Sequence, residues 1–170
     1  MKVWGRCAAV VVATLVMVPA AASAAAPQKG SGKLPATACT LLTLAQVQHV
    51  LPGATAGKPI HDKADKEEVC NWEVDLSSDY LGVKVRPFTG DATTAKALFG
   101  TTDPDEKVKG LGSAAAFASN QSDYTVRAVL GKLALVVKLE REDDSPGDPA
   151  SVAQLKSDAT SIAKLVAKKL

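Results

Sequence analysis

Few side chains in this sequence are suited to chemistry. His49 and His61 are its only histidines. His61 is followed by Asp62 and Asp65, and imidazole with carboxylates is a reasonable ligand set for a divalent metal. The segment that carries them, PGATAGKPIHDKADKE over 52–67, is polar, Lys-rich and without pattern, so it holds no ligands in advance and reads as a solvated loop. Glu140, Glu142, Asp143, Asp144 and Asp148 gather oxygens, but the Asp-x-Asp-x-Asp-Gly order of a calcium loop is missing; a strand exit and a helix cap account for them. Gly110-x-Gly112-x-x-Ala115 has the letters of a dinucleotide fingerprint. That motif needs a strand before it and a helix after it, whereas here a charged loop leads into a strand. A hydrolase would need a Gly-x-Ser-x-Gly elbow, a free cysteine nucleophile, or a triad assembled around His49 or His61 from distant positions, and the sequence carries no local sign of one. The expectation is therefore no catalytic residue, no metal and no cofactor.

The amino terminus explains part of the charge. Lys2 and Arg6 precede an apolar run over 7–18 in which only Thr14 is polar, Pro19 breaks the run, and Ala22-Ser23-Ala24 and Ala24-Ala25-Ala26 follow. This is the layout of a secretory signal peptide over 1–24. Twelve apolar residues make about 18 Å of helix, too short for a ~30 Å hydrocarbon core. Cys7 lies too early to be a lipid-modified cysteine and Cys39 too far beyond the run, so the expected product is secreted without an anchor and without a membrane span. Removing the leader leaves 18 basic and 18 acidic residues. A neutral chain has no electrostatic footprint for nucleic acid.

Cys39 and Cys70 are the cysteines that remain, and outside the cytoplasm two such thiols are expected to be bridged. Closing a loop of about 32 residues stabilises by roughly 3–4 kcal/mol in the chain-entropy description.

The elements that must hold these residues follow a readable order. Residues 25–38, rich in small residues, Pro and Gly, form a flexible lead, and a single domain occupies 39–170. Thr43 and Gln46 have capping-box spacing, with Leu42 and Val47 placed for a hydrophobic staple; the helix spans 43–51, with Leu44, Val47 and Leu51 on one face and Pro52-Gly53 ending it. Cys70, Trp72, Val74 and Leu76 alternate with polar residues over 69–76, Ser77-Ser78-Asp79 turns the chain, and Leu81, Val83 and Val85 alternate again, which predicts an antiparallel hairpin. Glu73 and Asp75 are expected across from Lys84 and Arg86. Asp91 caps a short helix over 91–99, and a loop over 101–110 follows. Strands are expected over 113–119, 124–130 and 133–140, the last two joined by a Gly131-Lys132 turn. The run Leu133-Ala134-Leu135-Val136-Val137 is apolar on both faces and suits a central strand. Asp148 and Pro149 open a last helix whose buried stripe is Val152, Leu155, Ala159, Ile162 and Val166. The order α-β-β-α-β-β-β-α predicts an α+β fold, an antiparallel sheet of about five strands with helices packed on one face.

Three signatures in series, Cys39-Thr40-Leu41-Leu42-Thr43, Cys70-Asn71-Trp72 and Gly110-Leu111-Gly112-Ser113-Ala114-Ala115, resemble those of an actinobacterial family of exported proteins and lipoproteins built on a domain of unknown function. The resemblance runs from Cys39 to the last strand. It implies an extracytoplasmic location and a Cys39–Cys70 bridge, and it supplies no catalytic residues.

Among the mature aromatics, Trp72 falls on the buried side of its strand, whereas Tyr80 and Phe88 flank the hairpin and are the recognition candidates. The functional expectation is an exported, non-catalytic binding or interaction module for a protein, an envelope component or a small ligand. A carrier of a small apolar ligand held between sheet and helices is the alternative, and a hydrolase a more distant one.

Overall fold

The computed structural model describes residues 32–91, 94, 106–118, 123–142 and 149–170. The expected signal segment over 1–24, the lead up to residue 31, most of the helix over 91–99 and the acidic residues 143–148 lie outside the described residues. At the edge of that gap Asp91 Oδ1 accepts from the Thr94 N–H at 2.9 Å, the N-cap contact expected there.

The chain enters the domain through a 3-10 turn, Ala38–Leu41, whose start is capped by the Thr37 hydroxyl accepting from the Cys39 N–H. Leu34 packs on the core and Ala38 is fully buried, both within the segment expected as a flexible lead. Helix α1, Leu44–Val50, begins with the capping box: Thr43 Oγ1 accepts from Gln46 N, and Gln46 Oε1 accepts from Thr43 N. Its buried face differs from expectation. Leu44 is exposed, and Val47, Val50 and Leu51 face the core with Leu42.

Seven antiparallel strands form one sheet in the order β1-β2-β3-β7-β6-β5-β4. They are β1 Lys58–Asp62, β2 Glu67–Glu73, β3 Tyr80–Pro87, β4 Glu106–Lys107, β5 Ser113–Ala118, β6 Asp123–Leu130 and β7 Leu133–Glu140. All five expected strands are present, and the sheet carries one further short strand at each edge. One of these, β1, corrects the reading of 52–67 as a loop: the segment folds back on β2 as a hairpin, with His61 opposite Glu68. As an edge strand β1 is exposed along almost its whole length, so no alternation betrays it. The other, β4, is a two-residue strand inside the expected loop over 101–110.

β7, apolar on both faces, takes the centre of the sheet. It pairs with β6 across Gly131, whose φ of +62° opens the two-residue turn. Gly110 and Gly112, at φ +84° and +59°, turn the chain into β5, the strand context that argues against a phosphate-binding loop.

One face of the sheet makes the core. Cys70, Val83, Val137 and Val126 stand in one cross-strand row, and Trp72, Leu81, Leu139 and Tyr124 in the next. Helix α2, Pro149–Ala167, lies against β6 and β7 and buries Leu155, Ala159, Ile162 and Val166 in the same cluster; Val152 is half-buried. On the far side of the cluster the Cys39–Cys70 disulfide, with a Cα–Cα distance of 5.0 Å, fixes the 3-10 turn to β2. The fold is α+β.

Leu76 departs from its expected place. It sits in the turn after β2 at φ +63°, fully exposed, and does not extend the buried row of Cys70 and Trp72. Ending β2 at Glu73 places Glu73 opposite Tyr80 and shifts the hairpin register. Glu73 pairs with Lys58 of β1 at 2.5 Å instead of with β3, and it is Glu67 that meets Lys84 and Arg86.

Candidate functional site

The residues with chemical potential are dispersed. His49 is exposed on α1, while His61 Nδ1 contacts the buried Glu68 carboxylate across the β1–β2 pair. His61 and Asp62 are neighbours on a strand and so point to opposite faces. Asp62 Oδ1 is occupied by the N–H groups of Ala64 and Asp65, the contacts of a hairpin turn. Among the described residues no three His, Cys, Asp or Glu side chains are grouped to hold a metal ion. At the end of β7, Glu140 accepts from Lys138 at 2.9 Å, and the Glu142 N–H donates to Asp79 Oδ1 at 2.5 Å, closing the loop over 74–79.

Tyr80 opens β3 and Phe88 follows its last residue, eight positions on, about 26 Å along an extended chain. The structure does not bring them together. Tyr80 reaches over Gly82, where an added Cβ would clash with its hydroxyl. The Lys138 ammonium is 5.7 Å from the ring centroid and also bonds Glu140 and the buried Asp123. Burial raises the Tyr80 phenol above its ordinary value near 10, against the pull of Lys138. The Glu140 hydrogen bond raises Lys138 in turn, against desolvation. Both groups have folded-state pKa values above their unfolded ones. Their stabilisation is complete below pH 10 and is lost as pH rises through the folded values. The urea midpoint is expected to hold up to about pH 10 and to fall above it, and Tyr80→Phe to flatten that fall. Identical slopes for Tyr80→Phe and the parent would show that the phenol is not responsible.

A site that no motif announced lies on the sheet face opposite the core. Register builds it in two rows. Lys84 of β3, Val136 of β7 and Arg127 of β6 stand side by side, and Arg86, Ala134 and Val129 form the adjoining row. A cavity of about 290 Å³ lies over these rows. Its floor is aliphatic, Ala134 and Val136 on the central strand, with Val129 beside them. Lys84 and Arg86 form one wall and Arg127 stands on the other side. Glu67 closes the end: its carboxylate is 2.9 Å from Lys84 Nζ and 3.4 Å from Arg86 Nη1, with its side chain 9% exposed.

A carboxylate so far removed from water needs its charge met, and here two cations meet it. The cations are less covered, 42% exposed for the Lys84 side chain and 36% for Arg86, so their remaining donors can be reached from outside. The arrangement offers hydrogen-bond donors and positive charge beside apolar surface. An aliphatic floor with a few convergent polar groups has the make-up of a ligand seat.

Sequence reasoning found the ingredients but not the site. Lys84 and Arg86 were legible as the polar alternation of β3. Their partner depended on the length of the preceding turn, and Arg127 enters only through β7, whose partnership with β3 joins residues some 50 positions apart. The chain matches no family model, no curated protein and no solved structure.

Proposed function

We propose that the chain is an exported, non-catalytic binding module whose ligand seat is the cation-walled cavity on β3, β7 and β6. The observation that carries this reading is the cavity itself: Lys84, Arg86 and Arg127 around an Ala–Val floor, with the Glu67 carboxylate held at one end. The disulfide, the leader and the motif resemblance support it. The Cys39–Cys70 disulfide fits an oxidising compartment. The leader read from residues 1–24 and the resemblance of the three motifs to an exported family point the same way. No helix among the described residues is long and apolar enough to cross a membrane. The secured sheet gives a rigid platform, so the ligand meets a site already formed.

Native mass spectrometry of the protein recovered from the medium of a secreting actinobacterial host tests this. The parent is expected as a leader-free chain with a non-covalent small-molecule adduct that leaves on denaturation. The variant Lys84→Ala/Arg86→Ala is expected bare, and His49→Ala/His61→Ala is expected to keep the adduct. A bare parent, or the same adduct on parent and cavity variant alike, would overturn the assignment.

A further inference from the structure

The cavity's own chemistry narrows what it can hold, and the class of ligand it selects rests on the chain being a binding module. One carboxylate already sits there. Glu67 is buried to 7% and bonded by Lys84 and Arg86, so the two cations together carry one more positive charge than Glu67 cancels. Arg86 reaches Glu67 through Nη1 alone, and an ammonium has three hydrogens to give; both groups have donors left for a second anionic headgroup.

The floor adds a second requirement. Ala134, Val136 and Val129 offer aliphatic surface directly beside those donors. A bare inorganic anion would leave this surface wet. A neutral apolar molecule would strip water from the cations and return no hydrogen bond. The ligand that satisfies both is an anion with an apolar body. A hollow of about 290 Å³ accommodates a small apolar body beside the headgroup.

We infer that the cavity binds a small amphipathic carboxylate, with its headgroup on Lys84 and Arg86 and a short aliphatic or aromatic body across Ala134 and Val136. Glu67 is then a positioning residue that holds both cations in place and, by its charge, limits the affinity of the anion beside it.

Calorimetric and NMR titration of the oxidised mature protein with four defined probes tests the inference: octanoate, acetate, octanol and octylammonium. Octanoate is expected to bind and to shift the Val129 and Val136 amides. Acetate and octanol should be weaker by at least about tenfold, and octylammonium silent. Lys84→Met/Arg86→Met should weaken octanoate by about tenfold or more, and Glu67→Gln should strengthen it, a gain that mere structural damage would not produce. Acetate as tight as octanoate would make this a simple anion seat, octanol as tight would make it an apolar one, and either overturns the inference. Silence toward octanoate, with the native adduct still lost in the cavity variant, would overturn the carboxylate assignment while leaving the binding module standing. Loss of both signals would remove both.

Discussion

Replacing Cys39 and Cys70 together by alanine should lower the free energy of unfolding by about 2–5 kcal/mol, and with it the melting temperature by about 10–20 °C. The bridge spans 31 positions in sequence, and loop closure of that size alone accounts for roughly 3–4 kcal/mol through the unfolded chain. Packing adds to it. Cys70 is fully buried, in a row with Val83 and Val137 and two residues from Trp72, so removing its sulfur leaves a small void in the core. The parent in reducing agent should melt near the double variant, because both lose the same crosslink. Guanidinium unfolding of the oxidised parent, the reduced parent and Cys39→Ala/Cys70→Ala makes the comparison. A difference below about 1 kcal/mol would mean that the 3-10 turn is held by Ala38, Leu41 and Leu42 alone and that the covalent link is dispensable.

The elements that could be read from sequence were those that bury one face and expose the other. β6 and β7 show this best, because alternation, a Gly-led turn and an unbroken apolar run all agree. The capping box at Thr43 was equally plain, since its two hydrogen bonds are local in sequence. β1 escaped because Lys58, Pro59, Ile60 and His61 are all exposed, and a strand with neither face buried leaves no period to detect. Leu76 misled for the opposite reason: it continued an apolar alternation that the backbone had already abandoned at a positive φ. The cavity was hidden more deeply. Its residues come from β2, β3, β6 and β7, and their meeting depends on pairing register, which composition does not encode. Only the surplus of bases on one face of β3 hinted at it, and a single residue's error in turn length would have assigned those bases to the wrong acid. The Cys39–Cys70 bridge, by contrast, came from counting, because setting aside the expected leader with Cys7 leaves one pairing to make.

Arg141→Met should cost about 3 kcal/mol, a large effect for one side chain beyond the last strand. The guanidinium comes directly after β7 and reaches two helices at once. Its Nη2 donates to the Val50 carbonyl, at the end of α1 where helical carbonyls lack partners, and to Asp158 Oδ2 of α2 at 2.5 Å. Removing it leaves the Val50 carbonyl without this donor, and Asp158, 15% exposed, with Gln154 Nε2 at 2.9 Å as its remaining side-chain donor. The figure lies at the lower end of the range for buried pairs because the Arg141 side chain is 27% exposed. Arg141→Lys should recover only part of the loss, since a point charge cannot serve a carbonyl and a carboxylate as a planar fork does. The double change Arg141→Met/Asp158→Leu should be milder than Arg141→Met alone, because it removes the stranded charge together with its partner, and Arg141 Nε is already buried without a hydrogen bond. A double-mutant cycle in urea, read alongside amide exchange at Val47 and Leu51, separates the contributions. Coupling near zero, with exchange at α1 unchanged, would show that the helices are held by their apolar contacts and not by this ionic tie.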